Sequence, residues 1–385
     1  MAVSIQSAAR PAPSPVRART LVRDASAERR IDRDLRTIAE AVSERIGPRL
    51  RAVLLVGGYA RHEGSVVARD GELGPYNDYD LIAVVDGRPA RFHRALAAIG
   101  AELGSSLGVD VDLWPVSARA LHRVPPTLFW LDVSLGGAEL VAGDAEVLAR
   151  LRPLVPRGVP LDECGRLLAN RATGLALSNL EARDHDQRRA RHAHKAVLAA
   201  GDVRLVAADR YRGTVAERSD ELDRLALAPG VGRELAAAYR DATRFRARPD
   251  TWEPPDGDLG AWYETTVARV AAWHLGFEQW RVGSPVTPLA FARWRGRVYP
   301  SPPDVRRGVA LLASVRAAAK RELPLFPWVG HPRERLARAS VALAYGADDR
   351  ACRLEAACLL GVDAEDAGGG RVLSEALLRS SERGG

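Results

Sequence analysis

Val56-Gly57-Gly58-Tyr59-Ala60-Arg61-His62-Glu63-Gly64-Ser65, followed by Pro75-Tyr76-Asn77-Asp78-Tyr79-Asp80-Leu81, is the stretch on which the reading of this chain turns. The run that leads into it, Ala52-Val53-Leu54-Leu55-Val56, is short, uninterrupted and apolar, which predicts a buried strand closed by the two glycines. Paired glycines let a backbone come close to a phosphate, and the residues after them are expected to open a helix whose free amides face an anion. Leu81-Ile82-Ala83-Val84-Val85 predicts a second strand. Asp78 and Asp80 lie at its start, and alternate residues of a strand project to one face, so two carboxylates stand side by side. Like charges at that spacing repel unless a cation lies between them. Hard oxygen ligands suit Mg²⁺, which keeps several waters and shares its other positions with substrate phosphates.

Working outward, Ile31, Leu35, Ile38, Val42 and Ile46 recur every three or four residues, which predicts a helix from Ser26 that Pro48 ends. A further helix is expected between Pro89 and Leu107, and a third strand over Val109 to Val116 with Asp110 and Asp112 on one face. Either of these acids could supply a third carboxylate to a two-metal site. Beyond Gly143-Asp144 the strand signals stop, and the chain runs on in Ala/Leu/Arg/Glu segments of helical period broken by Pro- and Gly-bearing loops. The expected organisation is a flexible tail over 1–25, a mixed strand-and-helix domain over 26–150, and a mainly helical domain over 151–385. The boundary falls where Pro153, Pro156 and Pro160 cluster.

Gly57-Gly58, then Asp78-x-Asp80 leading an apolar strand, then an acid on a later strand, resembles the nucleotidyltransferase superfamily of DNA polymerase beta type. Aminoglycoside and minimal nucleotidyltransferases and protein adenylyltransferases belong to it. The resemblance covers roughly residues 30 to 150. It implies an α+β fold: a small mixed β-sheet nucleotidyltransferase core with flanking helices, followed by a mainly α-helical substrate or partner domain. It also implies that Gly57 and Gly58 contact the nucleotide phosphates, that Asp78 and Asp80 bind both metal ions, and that Asp112 or Asp110 is the third acid. Gly137 to Asp144 is similar to the strand and turn that close the core in small members. Two departures from the family pattern are a glycine at 58 in place of the usual serine, and a long gap from Gly58 to Asp78, which makes Val66 to Gly74 an expected flap. The activity implied is Mg²⁺-dependent transfer of a nucleoside monophosphate, AMP from ATP, to a hydroxyl on a small molecule or protein, with pyrophosphate released.

Arg188, Arg191 and Lys195 share one face of a helix expected over Asp184 to Ala208. Lys195 and Lys320 are the two lysines of a chain otherwise reliant on arginine, so Lys195 and Arg191 are candidate triphosphate ligands, with Arg61 a further candidate beside the glycines. Glu181 is a possible base, and His192 and His194 with Arg188 loosely match a helical ribonuclease arrangement. Trp273 and Trp280, seven residues apart, are expected to pack on one helix face.

Composition bounds the rest. The chain has 385 residues, a net charge of +7 and 46% hydrophobic content, which is material for two domains and too polar for a membrane bundle. Three cysteines without zinc-like spacing indicate neither a disulfide framework nor structural zinc, and point to a reducing cytoplasmic setting. The charge is mild and mixed, which argues against a nucleic acid partner and fits a small anionic substrate such as a nucleoside triphosphate. A non-catalytic nucleotide-binding or toxin–antitoxin-type regulatory protein is the competing reading, and an RNA-extending polymerase a weaker third.

Overall fold

Asp24 begins the first helix by accepting hydrogen bonds from the Ser26 and Ala27 amides, which satisfies two donors that the first turn leaves without partners. The helix, α1 (Ala25–Ile46), stops at its last apolar position because Gly47 turns the chain at φ +67°. The structure is a computed structural model and describes residues 18–180, 186–227, 232–296, 298, 332–363 and 369–384. It is mixed α+β, with a four-stranded mixed sheet, a separate two-stranded sheet and many helices. The chain divides into two compact units. One runs to Arg123 and takes in Gly136–Leu151; the other consists of Val124–Leu135 and everything from Arg152 onward.

In the first unit β1 (Leu50–Val56) leads into a single helical turn, α2 (Gly57–Ala60). After it come β2 (Val66–Arg69), β3 (Glu72–Pro75), β4 (Tyr79–Val85), α3 (His93–Leu107) and β5 (Val111–Ser117). The main sheet has the order β5-β4-β1-β6, where β6 is Glu139–Gly143. β1 runs antiparallel to β4 and β6, whereas β4 and β5 are parallel and joined through α3, the crossover that a parallel pair requires. Val53, Leu55, Leu81, Ala83, Val111 and Leu113 pack from one sheet face against Ile31, Leu35, Ile38 and Val42 of α1 and Leu96, Ile99 and Leu103 of α3. Each such aliphatic side chain, fully buried, is worth about 1.5–3 kcal/mol. Filling that face leaves the even-numbered positions of β4 and β5, Asp80 and Asp112 among them, on the other.

Two expectations are corrected here. Val66 to Gly74 is not an open flap, because β2 and β3 pair as a hairpin through Asp70-Gly71, both at positive φ as a tight two-residue turn requires. Arg19 and Thr20, within the stretch assigned by composition to a flexible tail, are buried. Thr20 bridges Gly64, and Glu28 accepts hydrogen bonds from the Arg19 and Thr20 amides. The Arg19 guanidinium pairs with Asp32 and Glu139. Burial alone would lower the Arg19 pKa, but the two carboxylates outweigh it and hold the cation above its ordinary value. An arginine that reads as tail composition is therefore a buried anchor.

The second unit is helical: α4 (Leu128–Ser134), then α6 (Leu161–Leu180), α7 (Asp186–Ala207), α8 (Val215–Ala226), α9 (Arg233–Ala247) and α10 (Leu259–Val282). α5 (Glu146–Ala149) belongs to the first unit. The second unit ends with α11 (Pro288–Arg293), α12 (Pro332–Tyr345), α13 (Arg350–Leu360) and α14 (Gly370–Gly384). α7 packs against α6, α9 and α10, and α12 against α6 and α13. Small residues set these distances: a Cβ on Gly201 of α7 would lie 2.3 Å from the Tyr239 ring of α9. Cys164, Cys352 and Cys358 are free thiols. Among the described residues, no helix is long and apolar enough to cross a membrane.

Candidate functional site

Parallel pairing of β4 with β5 sets Asp80 directly beside Asp112, and Asp78, two residues before Asp80, comes to the same face. One carboxylate oxygen from each of Asp78, Asp80 and Asp112 lies within 4.8 Å of the others. Among the described residues this is the one grouping of three or more His, Cys, Asp or Glu side chains able to hold a metal ion. Burial raises the Asp112 pKa, and the Asp78 and Asp110 charges raise it further.

The diglycine closes β1 beside this cluster. Val56 pairs with Asp80 across β1 and β4, and Gly57 follows at φ +71°. A Cβ on Gly57 would stand 2.1 Å from Asp80 Oδ2, so the absence of a side chain is what admits the carboxylate. The helix expected after the glycines is a single turn: the Gly58 carbonyl already accepts the Glu63 amide at 2.8 Å.

Tyr59, inside that turn and fully buried, ties the glycine corner to the acidic one. Its hydroxyl donates to the Ser65 carbonyl at 3.1 Å and accepts the Tyr76 and Asn77 amides at 3.1 and 3.3 Å. Asn77 returns the link by accepting the Ser65 amide at 3.0 Å. Burial pushes the Tyr59 phenol well above its usual range, partly countered by the Asn77 and Tyr76 amides, so it stays a protonated donor. Tyr79, between the two acids in sequence, points its ring into the core 5.3 Å from Tyr59 and donates to Asp34 at 2.9 Å. Sequence reasoning missed both tyrosines. An aromatic residue on each side of the site carries no signal until the strands are paired.

Comparison with family models, with curated proteins and with solved structures finds no match for this chain. The arrangement therefore has to be read from its own residues.

Of the residues singled out by sequence, the structure brings Asp78, Asp80, Asp112 and Gly57 together and leaves Asp110 outside the group of three. Pairing of β5 begins at Val111, and Asp110, just ahead of it, is held through its carbonyl by the Tyr79 amide at 2.8 Å. Arg61 places its Nε 3.2 Å from Glu63, a carboxylate that is 1% exposed, so it is engaged in an internal ion pair. His62 turns at positive φ and bonds the Ala18 carbonyl.

Arg188, Arg191 and Lys195 lie on α7 of the second unit. Burial, followed by the charges of Lys195, Arg188, Arg191 and Arg171, drives His192 down to about 4. His194 is 2% exposed and stacks on Phe245 with centroids 4.3 Å apart, with Trp252 and Trp262 completing the cluster. Burial alone takes it to about 3. Neither histidine is an exposed pair member of the ribonuclease kind. Trp280 is 63% exposed, so the expected shared packing of Trp273 and Trp280 fails. Glu181 lies outside the described residues.

Proposed function

We propose that this chain is a Mg²⁺-dependent nucleotidyltransferase that moves a nucleoside monophosphate, AMP from ATP, to a hydroxyl on a small molecule or protein. The observation that carries the reading is the convergence of Asp78, Asp80 and Asp112 within 4.8 Å beside a glycine whose missing side chain gives Asp80 its place. Three carboxylates this close repel one another, and an oxygen-only donor set with room for waters suits a hard divalent cation. The fold class is compatible with the superfamily that the motif resembles, a small mixed sheet with helices on its apolar face.

In this reading Asp78, Asp80 and Asp112 would hold the cation. When bound, it would supply Lewis acidity at the phosphate oxygens and favour the ionised acceptor hydroxyl. The chain's own part is placement. Gly57 and Gly58 leave backbone rather than side chains next to the acids, which gives phosphate oxygens close access. Tyr59 and Asn77 hold the Tyr76-Asn77 segment, and with it Asp78, against Ser65. The bond that forms joins the acceptor oxygen to the α-phosphorus, and the one that breaks joins that phosphorus to the bridging oxygen of the departing pyrophosphate.

The test is pyrophosphate release by the purified full chain with Mg²⁺ and ATP, with acceptors found by transfer of the α-phosphoryl label to lysate components. Activity is expected and should fall at least ~1,000-fold in Asp78→Ala and Asp80→Ala proteins that keep the wild-type circular dichroism spectrum. ATP binding without any product would overturn transfer and favour a nucleotide-binding regulator. Unchanged turnover in both variants would overturn the site.

A further inference from the structure

A cleft of about 560 Å³ opens within the second unit, walled by α6, α7, α10 and the corner between α12 and α13. Its volume is in the range that small-molecule sites occupy. The wall is fixed from behind: Tyr263 of α10 donates to Asn179 of α6 at 2.9 Å, and Asn179 donates in turn to the Leu343 and Ala344 carbonyls of α12 at 3.0 and 2.9 Å. Arg189 of α7 lays its guanidinium over the Tyr263 ring, 4.3 Å from the centroid. A guanidinium stacked in this way presents its N–H groups edge-on, the geometry that grips a planar carboxylate. The guanidinium also hydrogen-bonds Tyr263 and its Nε–H is buried without an acceptor, but among the described residues no carboxylate pairs with its charge.

The same cleft carries acids that are equally unused. Glu264 follows Tyr263 on α10, and Asp348 lies in the turn after α12; among the described residues neither forms an ion pair. Their neighbour Asp349 is committed to capping α13 through the Ala351 amide. A simple anion drawn to Arg189 would meet two uncompensated negative charges, and a simple cation would leave the guanidinium charge unpaired. One ligand class answers both, with an apolar stem to lie along Val267, Ala268 and Ala271. We propose that this cleft binds a zwitterionic small molecule, an amino acid or short peptide, with its carboxylate on Arg189 and its ammonium toward Glu264 and Asp348.

This inference does not rest on the reading of the first unit's acids, and its test omits ATP and Mg²⁺. The full chain is titrated calorimetrically with 4-aminobutyrate, 6-aminohexanoate and the dipeptide alanyl-valine, against butyrate and butylamine as singly charged controls. At least one zwitterion is expected to saturate the protein at millimolar or lower concentration and to bind at least tenfold more tightly than either control. Arg189→Ala and Asp348→Asn should each weaken it at least tenfold, with Arg189→Lys retaining part of the affinity. Asp348 is exposed, so its variant keeps the test valid if Arg189→Ala does not fold. Equal binding of butyrate reduces the site to an anion pocket and equal binding of butylamine to a cation pocket. Either result overturns the proposal, as does the absence of binding by all three zwitterions or affinity that neither variant changes.

Discussion

At Gly57 two constraints meet. Its φ of +71° disfavours any side chain by about 1–2 kcal/mol, and a Cβ there would also strike Asp80 Oδ2. Gly47 also has a positive φ, +67°, but open space around it, so a side chain there carries a conformational cost without a clash. Gly57→Ala and Gly47→Ala are therefore both expected to lose stability in urea denaturation, while only Gly57→Ala displaces the Asp80 carboxylate. Pyrophosphate release should drop by roughly 100-fold or more in Gly57→Ala and stay near wild type in Gly47→Ala, because catalytic groups tolerate little misplacement. Equal activity of the two variants would show that Asp80 does not need its present position. Tyr59→Phe tests the tie between the two corners. Removing the hydroxyl leaves the half-buried Asn77 amide without its acceptor, a loss of about 1 kcal/mol, and hydrogen exchange at Asn77 should accelerate by the corresponding factor. Protection at Asn77 equal to wild type would mean that Tyr59 merely fills space.

Among the elements, the parallel pairing of β4 with β5 does the most for the site, since it converts a period-two pattern on each strand into one acidic face. The strands were legible because Ala52–Val56 and Leu81–Val85 are runs with no competing helical period, and α1 because its apolar stripe is long and regular. The choice between Asp110 and Asp112 was not legible: both have the right parity, and only the onset of pairing at Val111 separates them. The β2–β3 hairpin carried its signal in Asp70-Gly71, but a gap judged by length alone reads as a loop. Arg19 could not be read, because its partners Asp32 and Glu139 are distant in sequence and its neighbours have tail composition. The acidic face makes its own prediction. With no divalent cation present, Asp112→Asn removes one of three crowded negative charges, so the variant should melt at a higher temperature than wild type in chelator. Added Mg²⁺ should raise the wild-type melting temperature and move the variant far less. A variant that gains as much from Mg²⁺ as the wild type would remove Asp112 from the metal-binding set.

For the molecule as a whole, three histidines among the described residues of the second unit make its stability respond to acid through their burial. Burial followed by neighbouring cations holds His192 near 4, burial alone holds His194 near 3, and burial followed by the Arg281 charge holds His274 near 3. The His194 Nε2 has no hydrogen-bond partner, and the His274 Nδ1 meets the Tyr345 hydroxyl at 2.9 Å, so neither ring has an anion beside it to favour the protonated form. In the unfolded chain each imidazole takes up a proton near its ordinary pKa of about 6.5. Between that pH and the depressed native values the unfolded state therefore binds more protons than the native one, and stability falls as pH falls. Each histidine contributes a slope of up to ~1.4 kcal/mol per pH unit, so the three together approach ~4 kcal/mol per unit once fully engaged below pH 6. Trp114 is the one tryptophan of the first unit, which makes indole fluorescence chiefly a reporter of the second, where Trp252 and Trp262 lie against His194. Urea titrations followed by that fluorescence should show a midpoint that is nearly constant from pH 8 to 7 and falls steeply from pH 6.5 to 5. His274→Gln and His194→Gln should each flatten the dependence by about one histidine's share, whatever they do to stability at pH 8. A midpoint that does not move between pH 7 and 5 would mean that these imidazoles are protonated as readily in the native chain as in the unfolded one, and that the buried positions assigned to them are wrong.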